Sequence, residues 1–297
     1  MTRQLVLRVV LALASTMLHP SAFSEGHYIG GVEGTQAASV PPPGVYFMSY
    51  LVHYNMTRFQ EPGSHERLPT QNTGTINAMA NGLVWITPSQ LLGADYGMQV
   101  IAPLTRASLK LEGAGVRDQH TGLGDIYVSP LLRAWHGERW DAVTALGAWL
   151  DNGKSDSPVM PGKGYKTTML TGGATYYFDK AKTISGSVLA RYEINSRNKT
   201  GIRPGDQLTM EWGLAKNLGS VQVGLVGYSQ WQTTNNQGTG TFGQRGHRHA
   251  LGGELIYPIP SAGLVLKGAF YQEVDVKAGD TAQARGQLLR FTVMKQF

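Results

Sequence analysis

The sequence predicts an all-β protein, a single antiparallel up-and-down transmembrane barrel of about twelve strands. Three observations carry this prediction. Strand-like segments fill most of the chain without one convincing amphipathic helix, and the connections between them alternate between short and long. The final segment alternates apolar and polar residues up to a carboxyl-terminal phenylalanine. Outer-membrane barrels have short periplasmic turns and long outer loops, so we expect that arrangement here.

About twelve segments have strand character, and each is long compared with the roughly five or six residues of a typical strand in a soluble sheet. Turn-forming residues separate them, as expected between strands. The predicted strands are residues 44–60, 75–88, 93–110, 121–137, 139–153, 165–179, 182–195, 205–218, 221–234, 245–260, 262–276 and 285–297.

The connections between these segments fall into two classes. The short class comprises residues 89–92, 137–138, 179–181, 217–220 and 260–261. The long and polar class begins at Glu61, Leu111, Asp151, Asn195, Thr234 and Ala278. A soluble sandwich has no reason to alternate its loops in this way, whereas an outer-membrane barrel does. An even number of strands places both ends of the barrel on the periplasmic side.

The last predicted strand shows the period of two most clearly. One side carries Phe297, Val293, Phe291 and Leu289. The other side carries Gln296, Met294, Thr292 and Arg290. Lys295 departs from the apolar side, but it lies close enough to the chain end to snorkel towards a headgroup layer. Taken alone, this pattern also fits an edge strand of a soluble sandwich, and the alternating loops decide between the two.

Composition excludes a helical membrane protein and does not support nucleic-acid binding. The 297 residues include no cysteine and 15% charged residues; the mean hydropathy is -0.19. No internal run approaches the roughly twenty apolar residues of a spanning helix. Residues 1–24 are predicted to be a cleaved signal peptide, with Arg3 and Arg8 before or within an apolar stretch. Removing these two arginines lowers the net charge from +6 to +4, because 24 basic residues then oppose 20 acidic ones.

Residues 25–43 are predicted to form an amino-terminal arm that precedes a barrel of residues 44–297. The arm is rich in glycine, ends in Pro41 to Pro43 and lacks the period of a strand or a helix. We expect it to lie in the periplasm or in the barrel lumen. An unobstructed lumen with many inward charges would leak small ions. This favours the lumen as the position of the arm, where the arm would act as a plug.

The alternation also assigns side chains to the two faces of the barrel wall. We expect a lumen lined by Asp95, Asp125, Arg133, Arg191, Glu193, Glu211, Arg248, Lys267, Glu273 and Arg290. Asp125 and Arg133 should share the inward face of one strand as an ion pair. In residues 262–276 we expect Asp275 inward and Val276 outward. Aromatic membrane anchors are expected at Trp140, Phe178, Tyr257 and Phe297 near the short turns, and at Tyr192 and Trp231 near the long loops.

Two stretches resemble a known family. They are GLGDIYVSPLLRAW, from Gly122 to Trp135, and PPPGVYFMSYLVHYN, from Pro41 to Asn55. Both are similar to the family named for the meta-cleavage pathway of phenol degradation, whose members look like outer-membrane channels. The Gly-x-Gly-Asp strand opening is shared, and no catalytic residue set comes with it. The resemblance implies a role in the passage of aromatic or other hydrophobic compounds.

Two chemical alternatives can be stated from the residues alone. An outer-membrane phospholipase uses serine, histidine and asparagine on a barrel wall, and Ser49 with His53 on one face of a strand is the nearest approach to that set. His247 and His249 have a spacing that could bind a metal, but no carboxylate is adjacent and such histidines are commonly solvated. We expect no catalytic residue, no cofactor and no metal.

The expected function is passive, non-enzymatic passage of small molecules across the outer membrane of a Gram-negative bacterium, with mixed charge in the lumen setting selectivity. The alternative is a barrel that does not conduct and serves as an adhesin, a structural protein or, less favoured, a lipid hydrolase. The expected partners are the lipid bilayer, the barrel-assembly machinery and a small hydrophobic or aromatic substrate, and no nucleic acid.

Overall fold

The computed structural model describes residues 26–112, 115–157 and 159–297. The predicted signal peptide lies outside the described residues. The strands are β1 (Gly44–Gln60), β2 (Asn72–Leu91), β3 (Ala94–Leu111), β4 (Val116–Leu123), β5 (Tyr127–His136), β6 (Trp140–Trp149), β7 (Thr167–Tyr177), β8 (Ile184–Asn195), β9 (Gln207–Asn217), β10 (Gln222–Gln232), β11 (His247–Ile259), β12 (Leu264–Lys277) and β13 (Gln283–Gln296). Among the described residues, no helix is long and apolar enough to cross a membrane.

The strands form one closed antiparallel ring. Apart from β4 and β5, each strand pairs with its neighbours in sequence, and β1 pairs with β13, for example at Tyr46 and Gln296, which leaves the ring without an open seam. Strands β4 and β5 both pair with β3 and are two parts of one barrel strand, interrupted at residues 124–126. The thirteen strands therefore make a barrel of twelve, as the sequence predicts.

One predicted loop is a strand. The sequence places a long polar connection after Leu111, but residues 116–123 continue the β3 hairpin outward as β4. Its side chains alternate between exposed and half-buried, and most of them are polar or small. A strand with little apolar surface carries no hydrophobic period, so the pattern that located the other strands could not locate this one.

A bulge in β12 reverses the faces near its end. His249 pairs with Asp275 and Ala250 pairs with Glu273, so Val274 is the extra residue. Beyond it Val276 is fully buried and Asp275 lies on the outer side, which is the opposite of the sequence prediction. On β13 the assignment holds: Leu289 and Phe291 are exposed while Arg290 and Thr292 are buried.

The short turns and the long loops lie at opposite ends of the barrel, and we refer to the short-turn end and the long-loop end. A typical short turn follows β7, where Asp179 accepts hydrogen bonds from the backbone N–H groups of Thr183 and Ile184. These bonds, the one from Ile184 first, hold the pKa of the Asp179 carboxyl below its ordinary value. The predicted aromatic anchors Trp140, Phe178, Tyr257 and Phe297 are all exposed at this end.

The outer face carries an apolar band whose upper edge can be followed from strand to strand through the register. A row of exposed apolar residues runs across four paired strands through Leu51, Met79, Leu104 and Leu123. The next outward row towards the long loops is polar and also in register; it comprises His53, Asn77, Arg106 and Thr121. On β12 and β13 the apolar side chains extend one row further, because Phe270 pairs with Leu289 and Leu289 pairs with His53; on β12 the boundary falls between Phe270 and Gln272. The band is what a barrel in a bilayer requires.

This boundary predicts a difference between two arginine variants on one strand. Phe270→Arg should lower the free energy of unfolding by roughly 1–2 kcal/mol, because it puts a charge on the lipid face just inside the upper edge of the apolar band, between the midplane and the interface. Gln272 is the next outward-facing residue on the strand towards the long-loop end. Gln272→Arg should lower the free energy of unfolding by about 0–1 kcal/mol, because the charge there reaches the interface. Urea titrations of the protein folded in lipid vesicles measure both values. Equal losses of stability in the two variants would contradict the boundary assigned between Phe270 and Gln272.

Candidate functional site

The amino-terminal arm, residues 26–43, runs through the barrel lumen from one end to the other. At the short-turn end the hydroxyl groups of Ser39 and Tyr177 lie 3.3 Å apart. At the long-loop end the His27 ring lies 2.8 Å from the Thr167 hydroxyl and stacks on Trp149, with the ring centroids 5.5 Å apart. Between these points the arm is an irregular segment with one short 3-10 helix, Gly34–Gln36.

Three glutamates of the barrel wall hold the backbone of the arm. Glu193 Oε1 accepts from the backbone N–H groups of His27 and Tyr28 at 2.9 and 3.0 Å. Glu211 accepts from the Tyr28 hydroxyl and from the Glu33 backbone N–H at 3.1 Å. Glu254 Oε2 accepts from the backbone N–H and the hydroxyl of Thr35, each at 2.6 Å. Carboxylates that accept several amide bonds satisfy donors that an irregular buried segment cannot satisfy itself.

Two arginines of the wall complete this contact. Arg191 lies 2.8 Å from Glu33 Oε1 and covers the Tyr28 ring at 4.1 Å from its centroid. Arg290 pairs with Glu254 and also donates to the Val32 carbonyl oxygen, so it joins the wall to the arm. Lys267 lies within electrostatic reach of Glu254 and Glu33. These charged side chains of the wall therefore interact with the arm and with one another.

Glycine is required where the arm passes closest to the wall. A Cβ atom at Gly34 would lie 2.1 Å from Glu254 Oε1, and the φ of +74° at this residue is one that other residues rarely adopt. A Cβ at Gly30 would lie 2.6 Å from the Tyr228 ring. Side chains at Gly30 and Gly34 would displace the arm from its present contacts with Tyr228 and Glu254.

A second polar cluster lies in the lumen beside the arm. Glu273 Oε1 is 2.9 Å from Arg248 Nη1 and accepts from the Tyr228 hydroxyl at 3.0 Å. Its other oxygen accepts from the Tyr54 hydroxyl at 2.8 Å. Glu273 is fully buried and Arg248 is 6% exposed, so the pair stabilises the wall only while both partners are present.

A cavity of about 200 Å³ separates the arm from the wall formed by β1, β2 and β3. Its wall is mostly apolar and aromatic, with a few polar groups from the clusters described above. The side chains that line it include Tyr50, Val52, Tyr54, Ile76, Ala78, Ala80, Ile101, Pro103, Ala107, Tyr127, Trp149 and Leu288. On the arm side it is bounded by Gly26 to Gly30, Val32 and Glu33.

Below this cavity, towards the short-turn end, the lumen is filled with apolar side chains. Ala38 of the arm is fully buried among Tyr46, Ile86 and Leu189 of the wall. Ala37 and Val40 of the arm pack against the same cluster. The cavity therefore ends at a plug formed by the arm, and a molecule in it meets packed residues before it reaches the short-turn end.

The structure brings most of the predicted lumen residues together with the arm. Asp125 is buried and lies 3.0 Å from His27 Nε2, and it accepts from the backbone N–H groups of Gly153 and Lys163 at 2.8 and 2.7 Å. Asp95 is separate: it lies at the short-turn end, 3.8 Å from His136.

Arg133 does not share the inward face with Asp125, contrary to the sequence prediction. The β3 and β6 partners of β5 shift register around Pro130, which has no N–H to donate to the ladder. Leu132 and Ala134 consequently point into the lumen. Arg133 lies on the other face, with its guanidinium 5.2 Å from the Trp135 ring centroid.

Sequence reasoning did not select three residues that hold the arm. Glu254 could have been found, because it lies six residues from Arg248 on the same strand and therefore on the same face. His27 and Glu33 belong to a segment without a period, so nothing in the sequence indicated which of its side chains meet the wall.

The histidine and serine considered for lipid hydrolysis lie on the outer face. His53 Nδ1 is 2.8 Å from Asn77 Oδ1, and Ser49 Oγ donates to Asn81 Oδ1 at 2.8 Å. Four residues along a strand separate Ser49 from His53 by about 13 Å. This serine and this histidine therefore do not form a nucleophile and base pair.

Comparisons with known proteins agree with this architecture. The model of a family described as "Putative MetA-pathway of phenol degradation" matches residues 57–291. An outer membrane channel from Pseudomonas putida F1 has a TM-score of 0.75 at 12% identity, covering 92% of this chain and 100% of that chain. The transport unit of the autotransporter AIDA-I from Escherichia coli has a TM-score of 0.52 at 12% identity, covering 96% of this chain and 97% of that chain. The comparison with curated proteins found no match.

Proposed function

The chain belongs to the MetA-pathway family of phenol degradation, and from this premise we propose that it is an outer-membrane channel for the passive passage of small aromatic or other hydrophobic compounds. The observation that carries the proposal is the apolar cavity between the arm and strands β1 to β3. A lumen built only for ions would not need a wall of tyrosine, valine and isoleucine.

The size and chemistry of the cavity suit a compound with a single aromatic ring. In another protein an apolar cavity of roughly 150 Å³ binds benzene. Here the cavity of about 200 Å³ has tyrosine rings at Tyr50, Tyr54 and Tyr127, which can pack edge to face with a bound ring. The few polar groups at its edge, among them Gln230 and Arg248, could bind a hydroxyl substituent.

Passage requires the arm to move. The packed segment around Ala38 closes the route from the cavity to the short-turn end, so the arm acts as a gate that must shift or leave for a molecule to cross. When the arm leaves, the lumenal glutamates lose amide donors and must be solvated by water that enters the lumen. The exchange makes opening a transient event and keeps the resting channel closed to ions.

A second candidate function is a closed barrel with a structural role. The packing of the lumen around Ala38 and Leu189 favours it, because a barrel filled in this way need not conduct.

Uptake of a phenolic compound tests the proposal. Cells that lack the protein are complemented with a gene for the wild-type protein, for Ala80→Trp or for Met79→Trp, and the uptake of the compound is measured in each. Ala80 lines the cavity, so tryptophan there should fill it and abolish most of the uptake that depends on the protein. Met79 is the adjacent residue and is exposed on the outer face, so tryptophan there should leave uptake unchanged.

Heat-modifiable mobility in gels checks that each variant is assembled to the same level. Equal uptake by cells with and without the wild-type protein would contradict the proposed function and favour the closed barrel. Equal uptake with both tryptophan variants would place the route outside this cavity.

A further inference from the structure

Two histidines and an aspartate converge on the outer rim of the barrel, away from the lumen. His65 lies in the β1–β2 loop, His247 is the first residue of β11, and Asp275 lies near the end of β12. His65 Nδ1 is 3.1 Å from Asp275 Oδ1, and His247 Nε2 is 3.1 Å from Asp275 Oδ2. The three possible ligand atoms all lie within 4.8 Å of one another.

The fold assembles this cluster from distant parts of the chain. The bulge at Val274 turns Asp275 away from the lumen, and the pairing of β11 with β12 sets it beside His247. The backbone of the β1–β2 loop is held against the β12–β13 loop by two hydrogen bonds, Gly63 N–H to the Gly279 oxygen at 2.7 Å and Ala278 N–H to the Ser64 oxygen at 2.9 Å. This anchoring positions His65 over the end of the β11–β12 pair.

The donor set suits a divalent transition metal. Imidazole nitrogen and carboxylate oxygen are ligands of Zn²⁺, at about 2.0–2.2 Å, and a metal with three protein ligands keeps a position for water. The side chains of His65, Asp275 and His247 are 55%, 43% and 27% exposed, so an ion can reach them from solution. Small rotations of the two rings would bring the ligand atoms from their present separations to a common centre.

We propose that His65, His247 and Asp275 bind a divalent transition-metal ion, with Zn²⁺ as the probe, on the rim of the long-loop end. The bound ion connects the β1–β2 loop to β11 and β12, and so adds a link between elements that otherwise meet through backbone hydrogen bonds and the histidine–aspartate contacts. His249 is adjacent, but its Nδ1 lies 2.8 Å from the Ser229 hydroxyl and its ring packs against Trp231.

Calorimetric titration of the purified protein with ZnCl₂ tests the site, using a protein without a polyhistidine tag. We expect one saturable site per chain. His247→Gln and Asp275→Asn should each weaken Zn²⁺ binding by at least about tenfold, because each removes one of three ligands. His120→Gln is the matched control: His120 also lies 3.1 Å from an aspartate, Asp118, and is similarly exposed. It should leave the affinity unchanged.

X-ray absorption at the zinc edge provides a second readout that does not depend on variants. It should show a shell of nitrogen and oxygen atoms at about 2.0–2.1 Å with two imidazole rings. The absence of saturable binding, an affinity that His247→Gln leaves unchanged, or a bound zinc without two imidazoles would each overturn the proposal.

Discussion

Deleting residues Gly26 to Ser39 should raise the conductance of the purified protein in planar bilayers on the order of tenfold. The arm fills the lumen from Ser39 at the short-turn end to His27 at the long-loop end. A barrel of twelve strands has an interior intermediate between the filled barrels of about eight strands and the open pores of about sixteen. Removal of the arm should therefore leave a continuous water-filled path through a lumen that now holds protein.

A point variant separates loss of the arm from other effects of a deletion. Gly34→Val adds a side chain where a Cβ would lie 2.1 Å from Glu254 Oε1, so it should displace the arm and also raise conductance. Gly172→Val is the matched control, because open space surrounds a Cβ at Gly172. Conductance that stays at the wild-type level after the deletion would show that the arm does not close the channel.

Arg290→Met should lower the free energy of unfolding by about 3–5 kcal/mol. Arg290 and Glu254 form an ion pair in which both side chains are fully buried. Removing the guanidinium takes away the cation that is hydrogen-bonded to the buried Glu254 carboxylate and leaves Lys267 within electrostatic reach of it; losing one partner is the costly way to break a buried pair. The variant also loses the bond from Arg290 to the Val32 carbonyl oxygen. Urea titrations in vesicles measure the loss.

The double variant Arg290→Met with Glu254→Gln should recover part of this stability, because it removes the uncompensated charge along with its partner. Lys295→Met on the same strand is the control for the loss of a cation, since Lys295 lies near the chain end on the outer side. A double variant less stable than the sum of the two single changes would contradict the account of Arg290 as the compensating charge of Glu254.

The fold was predictable because its signals are local and repeated. Alternation in β13 places Leu289 and Phe291 outside and Arg290 inside, and the alternating loop lengths give the direction of every strand. The assignment of side chains to the two faces of the wall failed where a single residue breaks the period of two. Pro130 in β5 and Val274 in β12 shift the register, and a shift of one residue exchanges the faces of all that follows. Arg133 and Val276 were assigned wrongly for this reason.

The candidate sites were less accessible to sequence reasoning because they depend on closure of the ring and on the path of the arm. Glu254 meets Thr35 across 219 positions of the chain, and His65 meets Asp275 across 210. The spacing of residues within one segment of the chain cannot predict contacts of this kind. The charged residues of the lumen could be named from alternation, but their partners in the arm required the fold.

The direction of the arm has a consequence for biogenesis. The arm joins β1 through Pro41 to Pro43 at the short-turn end, and its far end, at His27, lies beside Trp149 and Thr167 at the long-loop end. In the proposed outer-membrane location, with the short turns on the periplasmic side from which such proteins are delivered, His27 would have to cross the thickness of the membrane to reach its position. The arm is followed in the chain directly by the strand that begins at Gly44 and closes the ring with β13, so a folded domain attached ahead of Gly26 would be too large to follow the arm through the lumen once that seam had formed.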